Sequence, residues 1–202
     1  LPQEGGEAVA EIAQATPIPP LRMLYVGGVR PPVYNLSPML ETVRQTKLVE
    51  LTLCCRSAEW EHMHAFYAPL LTDRVHVVHR AGDELNALYR EHHIFGILWM
   101  TAEYLEIATP VKLFETLGQA LPVITTGNTE TARIVAAESM GWVADDVPAA
   151  VVTLNRLIQS PQLIAECRAH MMELRHQHTW EKRAEEVVAV LGGYRERMVP
   201  QR

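Results

Sequence analysis

Lys112 and Glu115 lie three residues apart in Thr109–Thr126, TPVKLFETLGQALPVITT, a stretch whose pattern predicts loop, helix, tight turn and strand. Residues three apart share one face of a helix. The start of such a helix offers free backbone N–H groups and a positive dipole end, which together suit a phosphate. A cation in the first turn does nothing for the helix itself, so a bound diphosphate would account for Lys112. A carboxylate one turn further along can accept both hydroxyls of a ribose, the role expected of Glu115. Pro110 is expected to start the helix Val111–Ala120, a common place for proline. Gly118 and the Ala120-Leu121-Pro122 turn then bring the chain tightly back into the sheet.

Other groups carry weaker signals. Gly27-Gly28 is a turn, but not G-x-G-x-x-G, which argues against a nicotinamide dinucleotide. Arg30 follows it as a second candidate phosphate cation. Nine histidines invite a metal reading, yet none has convincing ligand spacing. His62 and His64 cannot share a helix face, and His76 and His79 face opposite sides of a strand. His92 and His93 end a helix, where a cationic imidazolium is favourable. No metal and no cofactor are therefore expected. Cys54, Cys55 and Cys167 give neither a disulfide framework nor a zinc motif, and the adjacent pair reads as buried thiols in a reducing cytosol. Trp60, Trp99, Trp142 and Trp180 read as packing residues. Tyr104 is set apart because its loop faces the expected site.

The elements that position these residues alternate. Apolar runs predict strands at Leu21–Gly28, Val49–Arg56, Arg74–Arg80, Ile94–Met100, Pro122–Thr126 and Gly141–Ala144. Helices are expected at Pro38–Thr46, Ala58–Leu70, Gly82–His92 (capped by Asp83) and Thr129–Ser139. The alternation predicts an α/β fold with a doubly wound, Rossmann-like parallel sheet of about six strands over residues 21–146. After Asp146 the pattern is helical: Val147–Gln159, Pro161–His176 and Trp180–Tyr194 form a C-terminal tail over 147–202, packed on the same domain. Ala184, Val187, Val188 and Leu191 make an apolar stripe on the last helix. Residues 1–20 read as a proline-rich connector with a short helix at Glu7–Ala15. Ligands of open α/β sheets bind beyond the carboxyl ends of the strands, so the loops 27–37, 80–84, 101–110 and 126–129 should surround the site.

Composition narrows the function. The 202 residues are 48% hydrophobic and 21% charged, with a formal net charge of -6. No basic stripe is present, so nucleic acid is not an expected partner. No apolar run approaches membrane-spanning length. The start lacks a charged leader followed by an apolar stretch, so no secretory leader is expected there and a cytoplasmic location is. The chain opens on Leu1, and a piece of a longer protein is expected.

Pro110-Val-Lys-Leu-Phe-Glu115 with Leu121-Pro-Val-Ile124 resembles the donor-site signature of GT-B glycosyltransferases of the family-4 type. Leu24-Tyr-Val-Gly-Gly28 is similar to the opening strand and glycine turn of their C-terminal domain. His178-Thr-Trp180 with Arg183-Ala184 is similar to their closing helices. The resemblance spans residues 21–191 and implies one half of a GT-B fold, the half that binds a UDP- or GDP-sugar. It implies that Glu115 holds the ribose, and that Lys112 and the backbone of Ile107, Ala108 and Thr109 face the diphosphate. Gly27 and Gly28 would let the backbone approach donor or acceptor. Arg80 and Ala81 would border the base, with Leu85 packing nearby. The family pattern also implies retention at the anomeric carbon, and an N-terminal Rossmann domain of the same protein that binds the acceptor. A polyisoprenoid or cell-wall acceptor, a place in polysaccharide biosynthesis, and peripheral membrane association of the full-length protein follow only by family analogy.

Two departures stand out. The first glutamate of the family's pair falls on Ile107, with Glu106 one residue out of register. The loop after the first strand has only Arg30 where many relatives carry an arginine and a lysine. Two other readings keep the same fold: a half-domain like that of nucleotide-sugar 2-epimerases, and a non-catalytic GT-B-like binding module.

Overall fold

The computed structural model describes residues 20–100 and 103–179, with 182, 184, 185, 187–189 and 191 further along. Its centre is a sheet of parallel strands: β1 (Leu21–Val26), β2 (Val49–Cys54), β3 (Val75–Val78), β4 (Ile94–Ile97), β5 (Val123–Thr126) and β6 (Gly141–Ala144). They lie in the order β3-β2-β1-β4-β5-β6. This is the doubly wound arrangement expected from the alternation, and its winding reverses between β1 and β4.

Burial follows from position in that order. In β1 every residue but Arg22 is buried, and β4 and β5 are buried throughout. Central parallel strands are covered on both faces, which explains their uninterrupted apolar sequence. The edge strands β3 and β6 are only half-covered and keep His76 and Val143 exposed.

Helices α1 (Ser37–Gln45), α2 (Ser57–Tyr67), α3 (Glu84–Glu91), α4 (Val111–Gly118), α5 (Glu130–Ala137), α6 (Val147–Gln159) and α7 (Gln162–Leu174) cover the sheet. Two are capped by side chains: Thr129 Oγ1 accepts from Ala132 N at 3.0 Å, and Asp146 Oδ1 from Ala149 N at 2.8 Å. A side-chain acceptor at this place satisfies one of the free amides of the first turn. α1 packs against α6, and Met39, Leu40 and Val43 of the one and Ala150, Leu154 and Leu157 of the other are buried.

Three expectations are corrected. Asp83 does not cap α3 through its side chain, because it sits in helical geometry at φ -65°, ψ -23°. Gly82, at φ +56°, makes the turn instead. Pro110 precedes α4 as its extended N-cap residue rather than occupying the first turn. His92 and His93 are not cationic helix-end groups. Burial pushes both imidazoles toward the neutral form, His93 down to about 4. Cys54 and Cys55 are buried free thiols, as read from the sequence. The connector helix Glu7–Ala15 and Trp180 lie outside the described residues. The described positions of the last helix are helical and exposed, including Val187, Val188 and Leu191.

Candidate functional site

α4 begins without a side-chain cap. Leu113 N already reaches Pro110 O at 3.0 Å. Lys112 Nζ turns back along the helix and bonds Glu115 Oε2 at 2.6 Å. Both side chains are about one-third exposed, at 31% and 37%. The carboxylate has a second donor, the hydroxyl of Tyr89 on α3, at 3.0 Å from the same oxygen. Tyr89 is buried, and its ring stacks on Phe95 of β4 with centroids 6.1 Å apart. Phe95 stacks in turn on Tyr25 of β1. Glu115 is thus tied through aromatic packing to the two strands that flank the reversal of winding. Burial, and after it the Glu115 carboxylate, raise the Tyr89 phenol well above its ordinary pKa, so it stays a donor.

The approach to α4 is partly engaged with itself. Ile107 N and Ala108 N both bond Tyr104 O, at 3.4 and 3.1 Å. Two of the three amides expected to face a diphosphate therefore have a carbonyl partner, while Thr109 is half-buried just before the helix. Ile107 is 81% exposed, with its side chain in water where the family pattern has a carboxylate. Arg133 Nη2 bonds the carbonyl of Glu106 at 2.5 Å, joining this loop to α5.

The glycine turn is filled by the protein's own side chains. Tyr25 Oη donates to Gly28 O at 2.5 Å. A Cβ at Gly27 would lie 2.8 Å from that hydroxyl, and one at Gly28 would lie 2.7 Å from the Tyr34 ring. Glu59 Oε1 accepts from Val29 N, and Tyr67 Oη donates to Val29 O. Glycine is needed here first for this packing. Arg30 is exposed at the tip of the turn.

Arg80 stands 4.0 Å from Glu84 on the surface, Ala81 is exposed, and Leu85 is half-buried. Leu85 and Tyr89 are four residues apart on α3 and share a helix face. That face brings the loop after β3 toward Glu115, and Asn86 Oδ1 accepts from Gln119 Nε2 at 3.2 Å to join α3 to the end of α4. Lys112, Glu115 and Leu85 are therefore gathered around Tyr89. Gly28 is joined to the same aromatic row, since the Tyr25 ring that stacks on Phe95 donates its hydroxyl to Gly28 O. Tyr89 itself escaped the sequence reading. Its signal was a tyrosine on the buried face of a helix, since a buried phenol needs a polar partner.

A cavity of about 230 Å³ opens elsewhere, between α1, the ends of β4 to β6 and the start of α6. Leu98, Trp99, Thr126 and Asp145 line it, and none of the expected site residues does.

The profile of the family described as glycosyl transferase-like matches residues 30–189. The chain belongs to that family. No curated protein matches it. Among solved structures, sucrose-phosphate synthase from Thermosynechococcus elongatus superposes with a TM-score of 0.67 at 20% identity, over 95% of this chain and 48% of that one. HepE from Anabaena, in complex with UDP and glucose, gives a TM-score of 0.70 at 12% identity, over 93% and 53%. WaaG, a glycosyltransferase involved in lipopolysaccharide biosynthesis, gives 0.61 at 16%, over 85% and 46%. The chain spans about half the length of these three proteins, and the shared fold is one GT-B Rossmann-like domain. Among the described residues no helix is long and apolar enough to cross a membrane.

Proposed function

We propose that this domain binds the nucleotide-sugar donor of a two-domain glycosyltransferase, with α4 as the donor-binding element. The observation that carries the reading is a helix start with no side-chain cap, a lysine in its first turn and a carboxylate one turn on, held from behind by a buried tyrosine. A diphosphate at that start meets free amides and a positive dipole end. Lys112 leaves Glu115 for the diphosphate, and Glu115 turns to the ribose diol. Arg30 closes from the glycine turn. Fixed dipoles and cations of this kind stabilise charge that develops on the diphosphate as the sugar–phosphate bond breaks.

UDP is the favoured donor diphosphate, since a structural relative binds UDP and glucose, and GDP is the alternative. The remaining half of the protein, an N-terminal Rossmann domain, would present the acceptor in the cytoplasm. Ile107 favours a second reading, a non-catalytic binding module, because an exposed apolar side chain stands where the transferred sugar would meet a carboxylate. Calorimetry with UDP, GDP, ADP and NAD on the protein and on Glu115→Ala tests the assignment. Selective binding of one nucleoside diphosphate, weakened about tenfold or more by the loss of hydrogen bonds to a charged group, supports it. Equal affinity in both proteins rejects Glu115 as the ribose ligand and favours the binding module.

A further inference from the structure

We infer that Tyr89 is the positioning residue of the donor site: its hydroxyl fixes Glu115 Oε2 so that the other carboxylate oxygen is presented to a ribose diol. The inference rests on the donor-site reading and adds to it the group that makes the site selective for ribose. Three observations carry it. Lys112 and Tyr89 both donate to Oε2, at 2.6 and 3.0 Å, and among the described residues no donor reaches Oε1. The two donors differ in rigidity. Lys112 is a long side chain, 31% exposed, on the same helix as its partner. Tyr89 is 4% exposed and clamped by its stack on Phe95. The third is their placement: Lys112 stands in the first turn of α4, where a phosphate would draw it away, and Tyr89 comes from a different helix.

When Lys112 moves to a phosphate, the phenol is, among the described residues, the one donor already in place that still holds the carboxylate. A carboxylate held by one oxygen has its remaining lone pairs aimed in fixed directions, and a vicinal diol reads direction. Without the phenol the carboxylate rotates freely or stays paired with Lys112, and both outcomes weaken ribose recognition. The phenol cannot reach the ribose itself while it serves Oε2, so Tyr89 acts through Glu115.

Tyr89→Phe keeps the ring and its stack while removing one hydroxyl. The measurement is the affinity of the protein for UDP and for 2′-deoxy-UDP, by calorimetry, with Glu115→Gln alongside. The wild type is expected to prefer UDP by about tenfold, the worth of a hydrogen bond to a charged acceptor. Tyr89→Phe should reduce that preference to about threefold or less and leave the affinity for 2′-deoxy-UDP unchanged, and Glu115→Gln should abolish the preference. Equal weakening of both ligands in a folded Tyr89→Phe, with the preference for UDP intact, marks a structural role and overturns the positioning one. Full ribose preference in Tyr89→Phe, with its loss in Glu115→Gln, overturns the inference and leaves the donor-site reading standing. No ribose preference in the wild type, or none that depends on Glu115, overturns both.

Discussion

Acid should destabilise this domain through His93, and the structure gives the size of the effect. His93 Nδ1 accepts the backbone N–H of Arg22 at 3.0 Å. A backbone amide cannot accept, so a proton on Nδ1 would set two donors against each other. The Arg22 guanidinium stands 3.5 Å from Nε2, and that of Arg168 reaches the His93 carbonyl at 3.4 Å. Burial first, then Arg22, Arg168 and His92, hold the folded pKa at about 4 against 6.5 in the unfolded chain. The folded state therefore binds fewer protons. Its stability is fully present above 6.5 and is lost as pH falls toward 4. At about pH 5 that linkage costs about 2 kcal/mol, and solvent around the half-buried ring reduces it to about 1 kcal/mol. His93→Asn places an oxygen near the position of Nδ1 and does not titrate. Urea unfolding at about pH 7.5 and about pH 5 should show the wild type losing about 1–2 kcal/mol more than His93→Asn across that interval. Equal losses in the two proteins would refute the argument, since every other titrating group is common to both.

Two further predictions concern stability. Gly141 has φ +152°, and a Cβ there would lie 1.8 Å from Val123 O. That atom is backbone in the adjacent strand and cannot move aside, so Gly141→Ala should cost about 3 kcal/mol or more; a loss under about 1 kcal/mol in urea unfolding would contradict the β5–β6 packing described. Arg168 is buried and donates to the carbonyls of His92 and His93 at 3.1 and 3.4 Å. Arg168→Met keeps the volume but leaves those carbonyls without their donor, an expected cost of about 1–3 kcal/mol, and a more stable variant would show that desolvation of the guanidinium outweighs its bonds.

What the sequence made legible, and what it hid, separates by the range of the interaction. The buried runs of β4 and β5 and the extent of β6 and α6 are set by neighbours within a few residues, and they stand as read. The helix that carries Lys112 and Glu115 was equally local. The clearest misreading arises where distant segments meet. His92 and His93 look like ordinary helix-end residues until Arg22 and Arg168 close over them from 71 and 75 residues away. A lone Asp83 before a helix looks like a cap until Gly82 takes the positive φ.

The same division bears on function. A first-turn lysine and a carboxylate three residues on can be read from one helix, but in the absence of a ligand they satisfy each other. An i,i+3 pair on a surface is worth only about 0.2–0.5 kcal/mol, too little to hold Lys112 against a diphosphate. The feature that separates this pair from an ordinary surface ion pair is the buried phenol, 26 residues earlier in the chain, aimed at one carboxylate oxygen. A solvated Glu–Lys pair has no need of such a donor, and a core that buries a tyrosine does not need an exposed carboxylate to satisfy it when carbonyls abound. Their combination is intelligible if the carboxylate must keep its direction after the lysine has left, and that is a requirement of ligand binding, not of folding.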